Sequence, residues 1–147
     1  MRVGRVQTFH CDGGWRPWTF VRVETEDGLV GWGECTDNNN PYGIAGCVRD
    51  FEDLLIGQDP RHIERLYWDM LRRARQNLGG VSHKAMAGIE QALWDIKAKA
   101  LGVPVYELFG GPLRDRVRLY WSHCGTTRAL HGDLLGTPAI RTLDDIA

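Results

Sequence analysis

Hydrophobic and polar residues alternate along the first quarter of the chain, and this pattern predicts an antiparallel sheet. The alternating runs cover residues 3–9, 19–25 and 29–35. Asp27 and Gly28 lie between the second run and the third. This dipeptide is typical of a two-residue hairpin turn, because both positions tolerate a positive φ. The sequence therefore predicts three strands, the last two joined by a tight hairpin.

Apolar residues recur every three or four positions from residue 44 onwards, a spacing that predicts helices. The first helix is expected over residues 44–55. The second opens at Asp59 and Pro60, an N-cap residue followed by proline at the first helical position. The third has Ser82 as its N-cap and continues to residue 101, and a short turn follows at 105–109. Three strands followed by three helices predict an α+β domain, a three-stranded antiparallel sheet with a helical bundle.

Two loops are expected beside the sheet. Residues 11–17 connect the first two strands and are too many for a tight turn, so they predict a projecting loop with aromatic and cationic side chains. Residues 37–43 follow the third strand and are rich in Asn, Pro and Gly, which suit turns and left-handed conformations.

The pattern changes again beyond residue 111. Residues 117–121 form a short β-type run, and residues 142–146 are typical of the capped start of a helix. A strand followed by a helix is the first unit of a (β/α)8 barrel. We therefore expect two domains, the first over residues 1–112 and the second, a truncated barrel start, over residues 113–147.

The composition narrows the class of partner. Of 147 residues, 43% are hydrophobic and 25% charged, which is typical of a globular domain. The net charge of −1 offers no basic patch for nucleic acid or an anionic membrane, so a small molecule or another protein is expected. The four cysteines lack zinc-type spacing, and no apolar segment suits a signal peptide or a membrane span. We expect reduced thiols in a cytoplasmic protein, with a disulfide as the alternative that an even count leaves open.

Three motifs, in this order and spacing, give the chain a family resemblance. They are Gly31-Trp32-Gly33-Glu34, Ile56-Gly57-Gln58-Asp59-Pro60 and Ala92-Leu93-Trp94-Asp95-Ile96. Over residues 1–125 the chain resembles the N-terminal capping domain of the mandelate racemase and muconate lactonizing enzyme branch of the enolase superfamily. Residues 126–139 are less familiar, and two interpretations stay open: an insertion at the mouth of the first barrel strand, or an altered reading of the chain.

The resemblance implies a magnesium-dependent reaction. In this superfamily a base removes the proton α to a carboxylate, and the metal neutralises the charge that develops on the carboxylate oxygens. The metal ligands and the bases lie on later barrel strands, which this sequence does not contain. The resemblance therefore implies magnesium in a full-length enzyme, no metal and no catalytic residue in this fragment, and an inactive fragment. It also implies a homo-oligomer.

The chain also resembles acid-sugar dehydratases, and this resemblance is closest in the Asn-rich loop ending at Tyr42-Gly43 and in the turn at Gly79 and Gly80. The implied reaction is α-proton abstraction from a sugar acid or another carboxylate, followed by β-elimination of water. Two alternatives stay open. One is a racemase, an epimerase or a cycloisomerase of the same superfamily, and the other is a non-catalytic interaction module.

The resemblance places two capping loops, residues 11–18 and 37–43, over a barrel mouth. In the first loop, Trp15 and Trp18 are expected to form an apolar lid and Arg16 to meet an anionic substrate. The alternative for Trp18 is that it starts a strand and packs on the core.

The second loop offers amides and an aromatic ring. Asn38, Asn39 and Asn40 supply the donors and acceptors that sugar hydroxyls need, and their alternative role is to shape the loop. Tyr42 lies where family members have a substrate-contacting aromatic residue.

Three basic residues complete the candidate set. His83 and Lys84 follow the glycine turn and are candidates for substrate contact, with an exposed, solvated pair as the alternative. His123 follows the expected barrel strand and is a candidate for hydrogen bonding to substrate. His10 and His62 are interpreted as ordinary surface residues.

Overall fold

The computed structural model describes residues 1–14, 16–37, 40–122 and 125–146. The contacts divide the chain into two units, Met1–Gly111 and Pro112–Ala147. The first unit contains three strands and three α-helices, followed by a 3-10 helix. Their bounds are β1 Val3–Asp12, β2 Pro17–Thr25, β3 Val30–Glu34, α1 Pro41–Leu55, α2 Ile63–Arg73, α3 Gly80–Leu101 and the 3-10 helix Val105–Phe109. The α+β arrangement expected from the sequence is confirmed.

The sheet is antiparallel in the order β1-β2-β3. Val6 pairs with Val23, which pairs in turn with Gly31, and all three are buried. Because alternate residues of a strand face the same side, these rows give the sheet one apolar face. The helices cover that face, and the buried hydrophobic residues that the structure describes all lie between positions 3 and 98. The first unit therefore carries its own hydrophobic core.

Strand β3 lies directly against the backbone of α3. A Cβ atom on Gly33 would stand 1.9 Å from the carbonyl oxygen of Gly88, and one on Gly31 would stand 2.1 Å from the carbonyl oxygen of Ala92. On the helix side, a Cβ on Gly88 would stand 2.8 Å from the Cβ of Cys35. Only glycine fits at these contacts, so the Gly-Trp-Gly-Glu motif specifies how closely this strand and this helix approach.

Side chains of α3 also bind the outer edge of β3, where the structure describes no further strand. The backbone N–H of Trp32 donates to the Asp95 carboxylate at 3.0 Å, and Lys99 Nζ donates to the carbonyl oxygen of Val30 at 2.8 Å. The side-chain amide of Gln91 accepts from the N–H of Glu34 and donates to its carbonyl oxygen, both at 3.2 Å. Positions 91, 95 and 99 lie one helical turn apart, so one helix face satisfies the polar groups of the strand edge.

Three details of the predicted elements were wrong. The connection between β2 and β3 is a four-residue turn at 26–29. The carbonyl oxygen of Thr25 accepts the N–H of Gly28, and the N–H of Thr25 donates to the carbonyl oxygen of Leu29, both at 2.9 Å. Helix α2 begins at Ile63 because Asp59 instead accepts hydrogen bonds from the backbone and guanidinium of Arg61. Helix α3 begins at Gly80, so that Ser82 lies inside its first turn and is not its N-cap.

The second unit contains a helix, Thr126–Leu135, within the segment that the sequence left open, and a 3-10 helix, Leu143–Ile146. The Asp145 carboxylate stabilises the start of the latter by accepting the backbone N–H groups of Arg141 and Thr142. The expected strand at residues 117–121 is absent, and Leu119 and Tyr120 are 87% and 88% exposed. A strand requires a hydrogen-bonded neighbour, and no strand is described in this unit.

We predict that Gly33→Ala destabilises the protein by about 3 kcal/mol or more, because the added methyl group meets backbone that cannot move independently. Gly46→Ala is the matched control, since that helical position is open and alanine has the higher helix propensity. Urea unfolding of both variants measures the free energies. Equal stability of the two variants would contradict the close approach of β3 and α3.

We also predict that Asp95→Ala lowers the free energy of unfolding by about 1–3 kcal/mol, because the Trp32 N–H loses its acceptor. Asp95→Asn keeps an acceptor oxygen and should lose less. Amide hydrogen exchange at Trp32 checks the cause: the rate should rise in Asp95→Ala and change little in Asp95→Asn. Unchanged exchange in Asp95→Ala would show that the carboxylate does not protect the edge.

Candidate functional site

The first candidate loop is shorter than expected, because β1 and β2 remain paired as far as Asp12 and Pro17. The connection is residues 13–16, in which the N–H of Gly13 donates to the carbonyl of Arg16 at 3.0 Å. The Asp12 carboxylate accepts the N–H of Gly14 at 2.8 Å, which shapes the turn. The projecting loop is therefore the end of a β-hairpin. Trp15 lies outside the described residues.

Trp18 and Arg16 pack against each other at this hairpin end. The guanidinium carbon of Arg16 lies 4.2 Å from the centre of the Trp18 ring, a cation–π distance. A Cβ on Gly13 would stand 2.4 Å from the indole Nε1, so the backbone of the turn also lies against the ring. Trp18 is half-buried and lies outside the hydrophobic core cluster of the described residues. The Trp18 indole thus holds the Arg16 guanidinium at the end of the hairpin.

The second candidate loop is tied to the start of α3. The Asp37 carboxylate accepts the N–H of Asn40 at 3.1 Å and the ammonium group of Lys84 at 2.5 Å. Asn40 is the N-cap residue of α1, and its side chain makes no capping hydrogen bond. Lys84, a candidate for substrate contact, is therefore held in an ion pair that fixes the entry to α1. Asn38 and Asn39 lie outside the described residues.

Tyr42 is in the first turn of α1 rather than in a loop, because the helix begins at Pro41. Its side chain is 81% exposed. Its ring makes an edge contact with the ring of His10, with 5.4 Å between centroids and an interplanar angle of 60°. The structure thus brings the end of β1 to the aromatic residue that the sequence singled out.

His10 is the residue that the sequence analysis missed. It pairs across the sheet with Thr19, and its Nδ1 lies 3.1 Å from the Thr19 hydroxyl oxygen. Its side chain is exposed, although it follows Val6 and Thr8 in the alternation that faces the core. This was the available signal: a polar residue that continues an inward-facing series marks the place where the core ends.

His10 and Arg16 also line a groove of about 410 Å³ at the hairpin end, together with Cys11, Asp12, Gly14 and Pro17. The groove thus combines an imidazole, a guanidinium and a carboxylate within one short hairpin. Such groups bind the carboxylate and hydroxyl oxygens of small polar molecules.

His83 has a local partner. Its Nδ1 accepts the backbone N–H of Gly79 at 2.6 Å, so the imidazole caps the start of α3. Gly79 and Gly80 both have positive φ, which allows the chain to turn sharply into the helix. Nδ1 of His83 therefore has a structural role, and a substrate contact by this ring would be made through Nε2. His123 lies outside the described residues.

Cys35 is the buried cysteine among those that the structure describes. It is buried against Gly88, and its Sγ lies 3.6 Å from the carbonyl oxygen of Thr19. Burial raises the pKa of this thiol to about 11, and the neighbouring charge of Glu34 adds to the effect. The thiolate is the nucleophilic form, so Cys35 is a structural residue near neutral pH.

The described residues hold no cluster of three or more His, Cys, Asp or Glu side chains that could bind a metal ion. Among the described helices, none combines the length and apolar character of a transmembrane span.

Residues 11–110 match the family described as mandelate racemase / muconate lactonizing enzyme, N-terminal domain. The chain belongs to this family. The matched segment contains every described candidate that the sequence predicted, and His10 lies one position before it. The family's N-terminal domain has the fold seen in the first unit. The resemblance stated from the sequence motifs is confirmed.

Relatives of this N-terminal domain are longer proteins. The D-galactonate dehydratase of Verminephrobacter eiseniae is 50% identical over 103 residues, which are 70% of this chain and 27% of that protein. A Burkholderia xenovorans crystal structure, provisionally named an L-alanine-DL-glutamate epimerase and bound to magnesium and fumarate, has a TM-score of 0.83 at 42% identity, covering 90% of this chain and 33% of the other. An enolase from Pantoea ananatis with bound D-gluconate and magnesium has a TM-score of 0.73 at 35% identity, covering 78% and 28%. The chain thus spans about a third or less of the relatives it matches.

The pKa of Cys35 predicts how stability depends on pH. Between pH 9 and about 11 the thiol of the unfolded chain ionises while the folded thiol stays protonated, so the free energy of unfolding should fall as pH rises. Urea unfolding at pH 8, 9 and 10 measures this slope for the wild type and for Cys35→Ala. The variant should have a shallower slope, and parallel slopes would contradict the raised pKa.

Proposed function

We propose that residues 1–112 are the substrate-specificity domain of a magnesium-dependent acid-sugar dehydratase, and that residues 113–147 begin its (β/α)8 barrel. The reaction is removal of the proton α to a carboxylate followed by β-elimination of water, which gives a 2-keto-3-deoxy acid. Support comes from the relatives: the Verminephrobacter eiseniae enzyme is a D-galactonate dehydratase, and the Pantoea ananatis structure holds D-gluconate with magnesium.

The meeting of two segments at one end of the sheet is the observation that carries this proposal. The β1–β2 hairpin brings His10 and Arg16, and the start of α1 brings Asn40 and Tyr42. A sugar acid has several hydroxyl groups and a carboxylate, and it needs donors and acceptors together with an apolar surface for its carbon chain. Imidazole, guanidinium, amide and phenol groups meet that need.

The magnesium ion of the proposed enzyme would be bound by the barrel, close to the reacting carbon of the substrate. The described residues offer no three-ligand cluster, so they do not fit a magnesium site. The chemistry that a magnesium ion would supply in the rest of the enzyme is neutralisation of charge on the substrate carboxylate. The residues of this chain bind and orient the end of the substrate away from the reacting carbon, and the rings of Trp18 and Tyr42 exclude water. The further proposed substrate contacts are Trp15, Asn38, Asn39, His83 and His123. The chain alone is proposed to be inactive.

A second candidate function is racemisation or epimerisation by the same proton abstraction. The observation that favours it is the 42% identity to the Burkholderia xenovorans protein provisionally named an epimerase. The two reactions share the first step and differ in whether the abstracted proton returns or water leaves. Product analysis therefore separates them.

We predict that this chain can replace its counterpart in a complete dehydratase. In the proposed chimera, residues 1–111 substitute for the matching segment of the Verminephrobacter eiseniae D-galactonate dehydratase, because these residues carry their own core. The chimera with magnesium should convert D-galactonate to the 2-keto-3-deoxy acid, with kcat/KM within about tenfold of the parent. Tyr42→Phe should lower kcat/KM by about tenfold through one lost hydrogen bond. Tyr106→Phe is the matched control, an exposed tyrosine of the 3-10 helix.

A folded chimera that does not dehydrate D-galactonate, D-gluconate or galactarate, beside an active parent, would overturn the dehydratase proposal. The same residues joined to the barrel of the Burkholderia xenovorans protein test the alternative: exchange of the α proton with deuterated solvent there, without loss of water, would support the racemase or epimerase instead. The 147-residue chain assayed alone is expected to give no turnover.

A further inference from the structure

We infer that His10 is a specificity-determining residue that binds an oxygen of the substrate through Nε2, while Thr19 holds its Nδ1. This role rests on the proposed function of the domain, and it assigns a substrate contact to a residue outside the two loops that the family resemblance indicated. Three observations carry it: the fixed side of the ring, the aromatic neighbour and the groove.

The fixed side is the hydrogen bond between Nδ1 and the Thr19 hydroxyl, at 3.1 Å. Thr19 is fully buried, its backbone N–H donates to the Thr36 hydroxyl at 3.2 Å, and its carbonyl accepts the N–H of Cys35 at 2.9 Å. The partner of Nδ1 is therefore itself buried and held by two backbone hydrogen bonds. An imidazole anchored in this way loses little further freedom when it binds a ligand.

The aromatic neighbour is Tyr42, whose ring makes the edge contact at 5.4 Å. Tyr42 is highly exposed, and its position depends on the start of α1, which the Asp37 carboxylate fixes through Asn40 and Lys84. His10 thus lies between a buried sheet residue and Tyr42, which is the most exposed of the aromatic site residues that the structure describes. A substrate oxygen bound by His10 would meet the tyrosine as well.

The groove supplies the chemistry. His10 is exposed and lines it beside Arg16 and Asp12. No hydrogen bond joins Nε2 to another residue in the described part of the chain. In the neutral ring, one nitrogen donates and the other accepts, and the Thr19 hydroxyl can pair with Nδ1 in either tautomer, so Nε2 offers substrate a donor or an acceptor. A substrate hydroxyl group can accept from Nε2 in one tautomer and donate to it in the other, which favours a polyhydroxy acid as the ligand.

Two conservative substitutions test this role in the chimera with D-galactonate. His10→Gln keeps a polar atom near the position of Nε2, and His10→Asn keeps one near the position of Nδ1. If Nε2 binds substrate, His10→Asn should raise KM about tenfold, the loss of one hydrogen bond, and His10→Gln should raise it less than threefold. His62→Asn and His62→Gln are matched controls, because His62 caps α2 without a side-chain hydrogen bond.

A monodeoxy series of D-galactonate identifies the contact. The penalty of His10→Asn should vanish for the analogue that lacks the hydroxyl bound by His10 and persist for the others. A structural role would give the reverse order, with His10→Gln impaired, His10→Asn normal, and no dependence on the analogue, and this result would overturn the assignment. An inactive wild-type chimera would overturn the proposed function itself, and the role of His10 with it, whereas an active one with a normal His10→Asn variant would overturn the His10 role alone.

Discussion

The approach of strand β3 to helix α3 without intervening side chains is the constraint on which the rest of the first unit depends. Gly31 and Gly33 bring the strand against the carbonyl oxygens of Ala92 and Gly88, closer than any other residue allows. At this distance the side chains of Gln91, Asp95 and Lys99 reach the strand's outer backbone groups. The close packing of β3 on α3 and the hydrogen bonds at the outer edge of β3 therefore depend on each other. A larger residue at either glycine would disturb both.

The same arrangement positions the candidate site. The start of α3 carries Lys84, whose ion pair with Asp37 sets the segment that leads into α1. Strand β3 ends beside Thr36 and Cys35, which bind the backbone of Thr19, the residue that holds His10. Hence His10 and the entry to α1 are each held by hydrogen bonds to segments next to β3 and α3. Precise placement of groups on rigid elements is what a specificity site requires.

Much of this could be read from the sequence, because the relevant signals are periodic. The alternation through Val6 and Thr8 and the helical spacing through Ile89 and Leu93 each specify a face, and the faces meet in the core. The bounds of the elements were less predictable, because they depend on local competition for hydrogen bonds. Asp59 binds Arg61 instead of capping α2, and His83 rather than Ser82 satisfies the backbone at the start of α3. The role of His10 required the cross-strand register, which no local pattern supplies.

The occupied edge of β3 has a consequence for how this sheet can associate. An open strand edge is a template for pairing with another chain, and proteins commonly protect such edges to avoid aggregation. Here three helix side chains block one edge, and at the other edge Val3 is already engaged by Gly57 and Gln58, at 2.8 and 2.9 Å. Any strand added from another molecule must therefore pair with the part of β1 beyond Val3.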